Sequence, residues 1–190
     1  MALSLGNVWA GRPLSVDDAN TNDKGAGHLE TWVTRESGKT NTVNFAPAFA
    51  PVEGLELGAL FSKDTTNRTN LTALQAKWRI TPAQEKACNA AAVLGALHES
   101  HGGGNATYLN GIYSCNGNAF GNVHLNLGLV KAQGTSAHLS WGVALEREMG
   151  TVTPHIELFG IDDGSKPTLQ IGARTQLSKT IQLDGTIGRN

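Results

Sequence analysis

The chain has 190 residues, with 15 basic and 16 acidic side chains and a formal net charge of −1. This length fits a single domain and excludes a large multidomain enzyme, while the balanced charge argues against an overall attraction to nucleic acid or to an anionic membrane surface. No run of 18 or more apolar residues occurs, which excludes a transmembrane helix but leaves a membrane β-barrel open.

The first segment suggests export. Residues 1–10 are interpreted as the remnant of a signal peptide or as a tag, because Val8-Trp9-Ala10 before Gly11 offers the small residues that a signal peptidase reads. A flexible terminus is the alternative. Residues 11–190 are predicted to form one β-barrel domain. Export would place the two cysteines in an oxidising compartment.

The rest of the chain alternates between predicted strands and turns. After a turn-forming lead over 12–25, each strand is closed by Gly, Asn, Asp, Ser or Pro, and no helix is required. Long strands with short turns favour an all-β, antiparallel up-and-down meander, which we expect to form a membrane-type barrel of about 11 to 12 strands. The predicted strands cover residues 28–36, 41–51, 55–63, 70–80, 87–98, 105–115, 121–132, 136–148, 152–162, 167–178 and 180–188.

Apolar and polar side chains alternate along these strands. Leu169 and Ile171, for example, oppose Gln170 and Arg174. In a soluble binding module the apolar set would face a core, whereas in a membrane barrel it would face lipid and the polar set would line the lumen. A low aromatic content of 6% favours the barrel. Its predicted lumen-lining residues are Glu30, Glu56, Gln75, Lys77, Arg79, His124, Asn126, His138, Glu157, Arg174 and Asp184.

Four segments carry a family resemblance. Arg12-Pro13-Leu14-Ser15-Val16-Asp17-Asp18-Ala19, followed by Gly27-His28-Leu29-Glu30, resembles the opening of the outer-membrane barrel family of the MetA pathway of phenol degradation. Gly54-Leu55-Glu56-Leu57-Gly58 is similar to that family's second hairpin, and Ile181-Gln182-Leu183-Asp184-Gly185 to its penultimate strand. The resemblance implies a barrel in the outer membrane of a Gram-negative cell, passing small and in part hydrophobic or aromatic solutes, with the bilayer and those solutes as partners.

The chain stops at Gly188-Arg189-Asn190 without the terminal aromatic strand that ends most outer-membrane barrels. Eleven strands are one short of an even number, and an unpaired edge leaves backbone groups that lipid cannot satisfy. We therefore expect either a fragment or a lead segment that pairs across the gap. The sequence leaves the oligomeric state open.

Catalytic signals are weak. His138, Ser140 and Glu146 could support acyl transfer in a lipid-modifying barrel if they were within hydrogen-bond reach, and this is the alternative enzyme hypothesis. His98, His101, His124 and His155 lack the spacing of a metal site, and loose metal binding by His98 and His101 beside a glycine run is the weaker alternative. We predict no catalytic residues, no metal and no cofactor.

A hairpin centred on Ser100-His101-Gly102-Gly103 would pair residues whose numbers sum to about 203. Cys88 and Cys115 then lie opposite one another, within the Cα separation that a disulfide tolerates, and Leu94 faces Leu109. Two reduced cysteines acting as small apolar residues are the alternative.

Overall fold

The computed structural model describes residues 14–36, 41–84, 87–101 and 103–190. The predicted signal remnant, residues 1–10, lies outside them. The described chain folds into eleven strands, each beginning and ending within three residues of its predicted bounds. They are β1 Gly27–Arg35, β2 Asn41–Val52, β3 Leu55–Asp64, β4 Asn70–Arg79, β5 Cys88–Glu99, β6 Gly104–Asn118, β7 Gly121–Ala132, β8 Ala137–Glu146, β9 Val152–Ile161, β10 Thr168–Gln176 and β11 Gln182–Arg189. The part of the chain that the structure describes contains no helix long and apolar enough to cross a membrane.

Every strand pairs with the next one in antiparallel register, which gives one sheet in the order β1 to β11. The predicted all-β up-and-down meander is thus confirmed. Because the direction reverses at each turn, β1 and β11 run the same way. They are the two edges of the sheet, and the described residues show no pairing between them.

The two faces of this sheet differ in exposure and in polarity. Large apolar side chains on one face are exposed, as in Leu94 at 63% and Leu127 at 61%, whereas polar side chains on the other are covered, as in Asn110 at 5%. We call these the outer and the inner face. Their polarity is the reverse of a soluble sandwich, where apolar side chains fill the covered side.

A short extended segment covers the inner face. Residues 14–22, here the N-terminal strap, precede β1 and pack through their apolar side chains against inner positions of the sheet. Leu14 and Val16 form one buried apolar cluster with Ala144, and Ala19 belongs to a second cluster with Ile112. Gly142 in β8 is required for this approach, because a Cβ there would lie 2.6 Å from Val16 Cγ2.

The β5–β6 hairpin has the register expected from its symmetry. Cys88 lies opposite Cys115 and Leu94 opposite Leu109. The two cysteines are joined by a disulfide, with their Cα atoms 3.9 Å apart. Of the predicted hairpin tip, Gly102 lies outside the described residues.

Candidate functional site

The eleven residues predicted to line a lumen all lie on the inner face, and each is buried or half-buried. Direct pairing places them there, since residues opposite each other in adjacent strands share a face. Whether they line a passage stays a prediction. The structure adds that three of them, Glu56, Asn126 and Glu157, bind the backbone of the strap, and a fourth, Lys77, binds its one buried carboxylate.

A buried ion pair fixes the middle of the strap. Lys77 Nζ lies 2.9 Å from Asp17 Oδ1, and the two side chains are 6% and 3% exposed. Asp17 comes from the motif that carries the family resemblance, and Lys77 from β4. Removing one member of such a pair leaves an uncompensated buried charge, which typically costs about 3 to 5 kcal/mol.

Carboxylates and amides of the sheet accept the backbone N–H groups of the strap. Ser15 and Val16 donate to Glu157 Oε2 at 2.6 and 2.8 Å, and Asn22 donates to Glu56 Oε2 at 2.8 Å. Asn126 makes two bonds with Asp17, accepting from its N–H at 2.8 Å and donating to its C=O at 2.7 Å. Side chains of the sheet thus bind the strap mainly through the backbone of the strap, at positions from β9 to β3.

A third contact connects the strap to a row of polar side chains that was not predicted from the sequence. We call Ser114, His124 and Glu146 the relay. Ala19 N–H donates to Ser114 Oγ at 2.9 Å, and Ser114 Oγ lies 2.8 Å from His124 Nδ1. His124 Nε2 is 3.6 Å from Glu146 Oε1, beyond hydrogen-bond distance, and Glu146 Oε1 accepts a hydrogen bond from an Arg174 guanidinium nitrogen at 3.1 Å. Buried polar atoms without a hydrogen-bond partner remain at this cluster: His124 Nε2, Glu146 Oε2 and both ring nitrogens of His155.

The relay has the order of a nucleophile, a base and a carboxylate, but its Ser114 side chain is fully covered, with 0% exposure. An acyl substrate cannot reach Ser114 Oγ while the strap is in place. The catalytic set considered from the sequence, His138, Ser140 and Glu146, is not brought together. Ser140 and Glu146 are six residues apart on β8, about 20 Å along the strand.

His138 instead faces the turn between β9 and β10. Its Nδ1 lies 3.5 Å from Asp162 Oδ1. In the same turn, outside the strands, hydrogen bonds from the hydroxyl and the backbone N–H of Ser165 lower the pKa of Asp163. This turn is exposed and makes no part of the strap contacts described above.

A cavity of about 230 Å³ lies between the strap and β1–β4. Its lining includes four carboxylates and one ammonium group, so its formal charge is −3 when His28 is neutral. The charged lining residues are Asp17, Asp18, Glu30, Glu56 and Lys77. The volume is below the roughly 300 to 1,000 Å³ of pockets that enclose drug-sized ligands, so the space suits a small polar molecule.

Tyr108 shapes the inner face beside this cavity. Its hydroxyl donates to Gln75 Oε1 at 2.9 Å, which links β6 to β4 across the intervening strand β5. Gly95 of β5 makes the link possible, since a Cβ at that position would collide with the end of the Tyr108 ring. A bond of this kind ties three strands together at one level.

A protein-family profile matches the whole chain, residues 1–190. The chain belongs to the family described as Uncharacterised conserved protein UCP029691. No curated protein and no solved structure matches it. The UCP029691 description names no activity and says nothing about the MetA pathway, so the resemblance to that barrel family stays a prediction.

Over the described part of this UCP029691 chain, no group of three or more His, Cys, Asp or Glu residues is arranged to hold a metal ion. His98 and His101, weighed from the sequence, have other partners: His98 Nδ1 lies 2.9 Å from Asn105 Oδ1, and His101 Nδ1 lies 2.9 Å from Ser100 Oγ. Sequence reasoning left Asp17 of the strap, and Ser114 and His155 of the sheet, out of the site. The signal that could have found Ser114 and His155 is the parity of β6 and β9, which places both on the inner face.

Proposed function

We propose that the chain is an outer-membrane β-barrel that gives passage to small solutes. The observation that carries this proposal is the exposure of the apolar face. Leucine, isoleucine, valine and phenylalanine side chains cover the middle of nearly every strand and lie open to the surroundings. Water penalises such a surface by roughly 25 cal/mol per Å² of apolar area, whereas lipid does not.

Enclosure of the inner face supports a barrel. The strap is bound by Glu157 of β9 near Ser15 and by Glu56 of β3 at Asn22. The polar side chains of the inner face between these two points are buried, as in Asn110 at 5% and Glu157 at 1% exposure. A flat sheet covered only by this short strap would leave many of them open, so their burial favours a sheet that curves around the strap.

The strap acts in this proposal as an internal gate. It fills the inner face between β3 and β9 and leaves the cavity beside β1–β4 as the open part of the interior. The excess of carboxylates around that cavity favours small cations over anions. Release of the Lys77–Asp17 pair would widen the passage, because that pair holds the centre of the strap.

The alternative is a soluble all-β binding module that uses the same cavity. The cavity itself is compatible with it, but such a module would have to keep the outer face in water. Its apolar side chains would then have no favourable surroundings.

The decisive experiment is refolding of the full chain in detergent and in phosphatidylcholine vesicles. We expect a folded species whose electrophoretic mobility changes on heating, together with release of small trapped amines from vesicles that contain the protein. The Lys77→Met variant should release them faster. A chain that stays folded and monomeric in plain buffer would overturn the proposal, and vesicles without protein are the control for leakage.

A further inference from the structure

The outer face carries very few charges. Within the described strands, the charged side chains at outward positions are Arg35, Lys63, Lys131 and Arg189, and all four are basic. Register fixes their orientation. Lys63 lies opposite Val43, Lys131 opposite Ala137 and Arg189 opposite Leu169, so each shares its face with exposed apolar residues.

The four basic residues also lie at one level. Arg35 and Arg189 are the last residues of β1 and β11, while Lys63 and Lys131 are next to last in β3 and β7. These strands all have odd numbers, and in an antiparallel meander the odd-numbered strands run in one direction. Their ends therefore share one rim of the sheet, which we call the basic rim. His98, near the end of β5, is also outward at this rim.

The opposite rim differs in chemistry. Its outward positions include Trp78 near the end of β4 and Tyr113 in β6, and no charged side chain within the described strands. The acidic residues of the strands point the other way, as Glu56, Glu146 and Glu157 do on the inner face. A formal net charge of −1 thus conceals an uneven distribution. The carboxylates of the strands lie on the inner face together with Lys77, Arg79 and Arg174, whereas the charged side chains at outward positions of the described strands are all basic and lie at one end.

All four side chains of the basic rim are exposed, and the ion pairs found among the described residues do not involve them. Long basic side chains at the boundary of an apolar surface can lie along that surface while the charged head reaches the polar layer. In a membrane the matching groups in that layer are phosphates, which guanidinium and ammonium groups bind through charge-assisted hydrogen bonds.

We infer that the basic rim binds the phosphate groups of anionic lipids in the leaflet that surrounds it. This inference rests on the proposed function, since it requires the outer face to lie in a bilayer. It adds an orientation: the rim at which the odd-numbered strands β1, β3, β5, β7, β9 and β11 end lies at the leaflet richer in anionic lipid. The rim then works as a positional anchor along the membrane normal.

Native mass spectrometry of the detergent-solubilised full chain tests the inference, with phosphatidic acid as the probe and phosphatidylcholine as the reference lipid. We expect the unmodified protein to retain phosphatidic acid in preference. The triple variant Lys63→Gln, Lys131→Gln, Arg189→Gln should bind it at least about tenfold more weakly, given the contribution of single basic residues near anionic lipid.

A matched triple variant provides the control. Lys24, Arg147 and Lys179 are exposed and lie in turns at the opposite rim, so Lys24→Gln, Arg147→Gln, Lys179→Gln should leave phosphatidic acid binding unchanged. Equal losses in the two variants, or no preference in the unmodified protein, would overturn the inference.

Salt provides a test that needs no variant. The preference of the unmodified protein for phosphatidic acid should fall steeply as ionic strength rises, because exposed charges are screened. A preference that persists at high salt would count against phosphate recognition by the rim. Failure of the proposed function looks different: the chain would then remain folded without detergent and would bind neither lipid.

Discussion

The inner face behaves differently under the strap and at the β11 edge. In β9, Thr153, His155 and Glu157 are all buried, with Glu157 only 1% exposed. In β11 the residues of the same face are exposed except for a half-buried Asp184. The two regions have similar polar composition, so composition does not explain the contrast. Burial of the polar face depends on the strap and on strands to either side, and it ends where these end.

The buried ion pair should give the largest difference between the two regions. Lys77→Met leaves the Asp17 carboxylate buried without its cation, so we expect a loss of about 3 to 5 kcal/mol in the free energy of unfolding. Asp184→Asn at the edge should change it by less than about 0.5 kcal/mol, as at other surface sites. Urea titration of the protein in detergent, followed by the heat-dependent gel shift, measures both. Equal effects would mean that the strap does not stabilise the covered region.

The surroundings of the outer face can be tested at two exposed leucines. Leu127 lies in the middle of β7 and Leu177 in the turn after β10, and they are 61% and 62% exposed. In a bilayer, Leu127→Arg should cost about 2 to 4 kcal/mol and Leu177→Arg about 0 to 1 kcal/mol, because the penalty depends on depth. Refolding yields into phosphatidylcholine vesicles give the comparison. If both variants insert equally well, the outer face is not in lipid.

Ser114 should give a smaller effect. Ser114→Ala removes the acceptor of the Ala19 N–H in the covered region, and an unsatisfied buried donor costs about 1 to 3 kcal/mol. Thr186→Ala on the exposed inner face of β11 is the matched loss of a hydroxyl and should be close to neutral. The same urea titration applies. A neutral Ser114→Ala would show that water replaces the hydroxyl and that the strap is loosely held there.

The smallest expected effect concerns glycine. Gly95→Ala places a methyl group against the ring of Tyr108, and we expect it to destabilise the protein by about 1 kcal/mol, since the end of that side chain can shift. At Gly185 in β11 a Cβ meets nothing within 4 Å, so Gly185→Ala should be neutral or slightly stabilising. Loss of the Tyr108–Gln75 bond in the first variant can be followed by tyrosine absorbance.

Local patterns were sufficient to predict the strands. Period-two alternation and turn residues act over a few positions, and a symmetric hairpin fixes its own register, which is why the Cys88–Cys115 pairing could be worked out by arithmetic. The face of each candidate residue followed from the same parity. The location of the strap could not be predicted, because Asp17 and Lys77 are 60 residues apart in the chain and no local pattern links them.

The relay was missed for a related reason. Ser114, His124 and Glu146 come from three successive strands, and their contact requires the registers of both hairpins between them. His138, Ser140 and Glu146, the set that the sequence suggests instead, share a strand and a face but are spread along its length. Residues that meet across strands leave no signal at short sequence separation.

The strap also sets an order of assembly. Ser15 bonds Glu157 across a sequence separation of 142 residues, although both the strap and its neighbour β1 stand at the beginning of the described chain. Contacts between residues so far apart in the sequence tend to form late, because closing the long loop between the two residues costs conformational entropy. The hairpins can form from neighbouring strands alone, so we expect the Ser15 end of the strap to dock only after β9 has joined the sheet. Until then the Glu157 carboxylate remains hydrated, and we expect its water to be expelled late in folding.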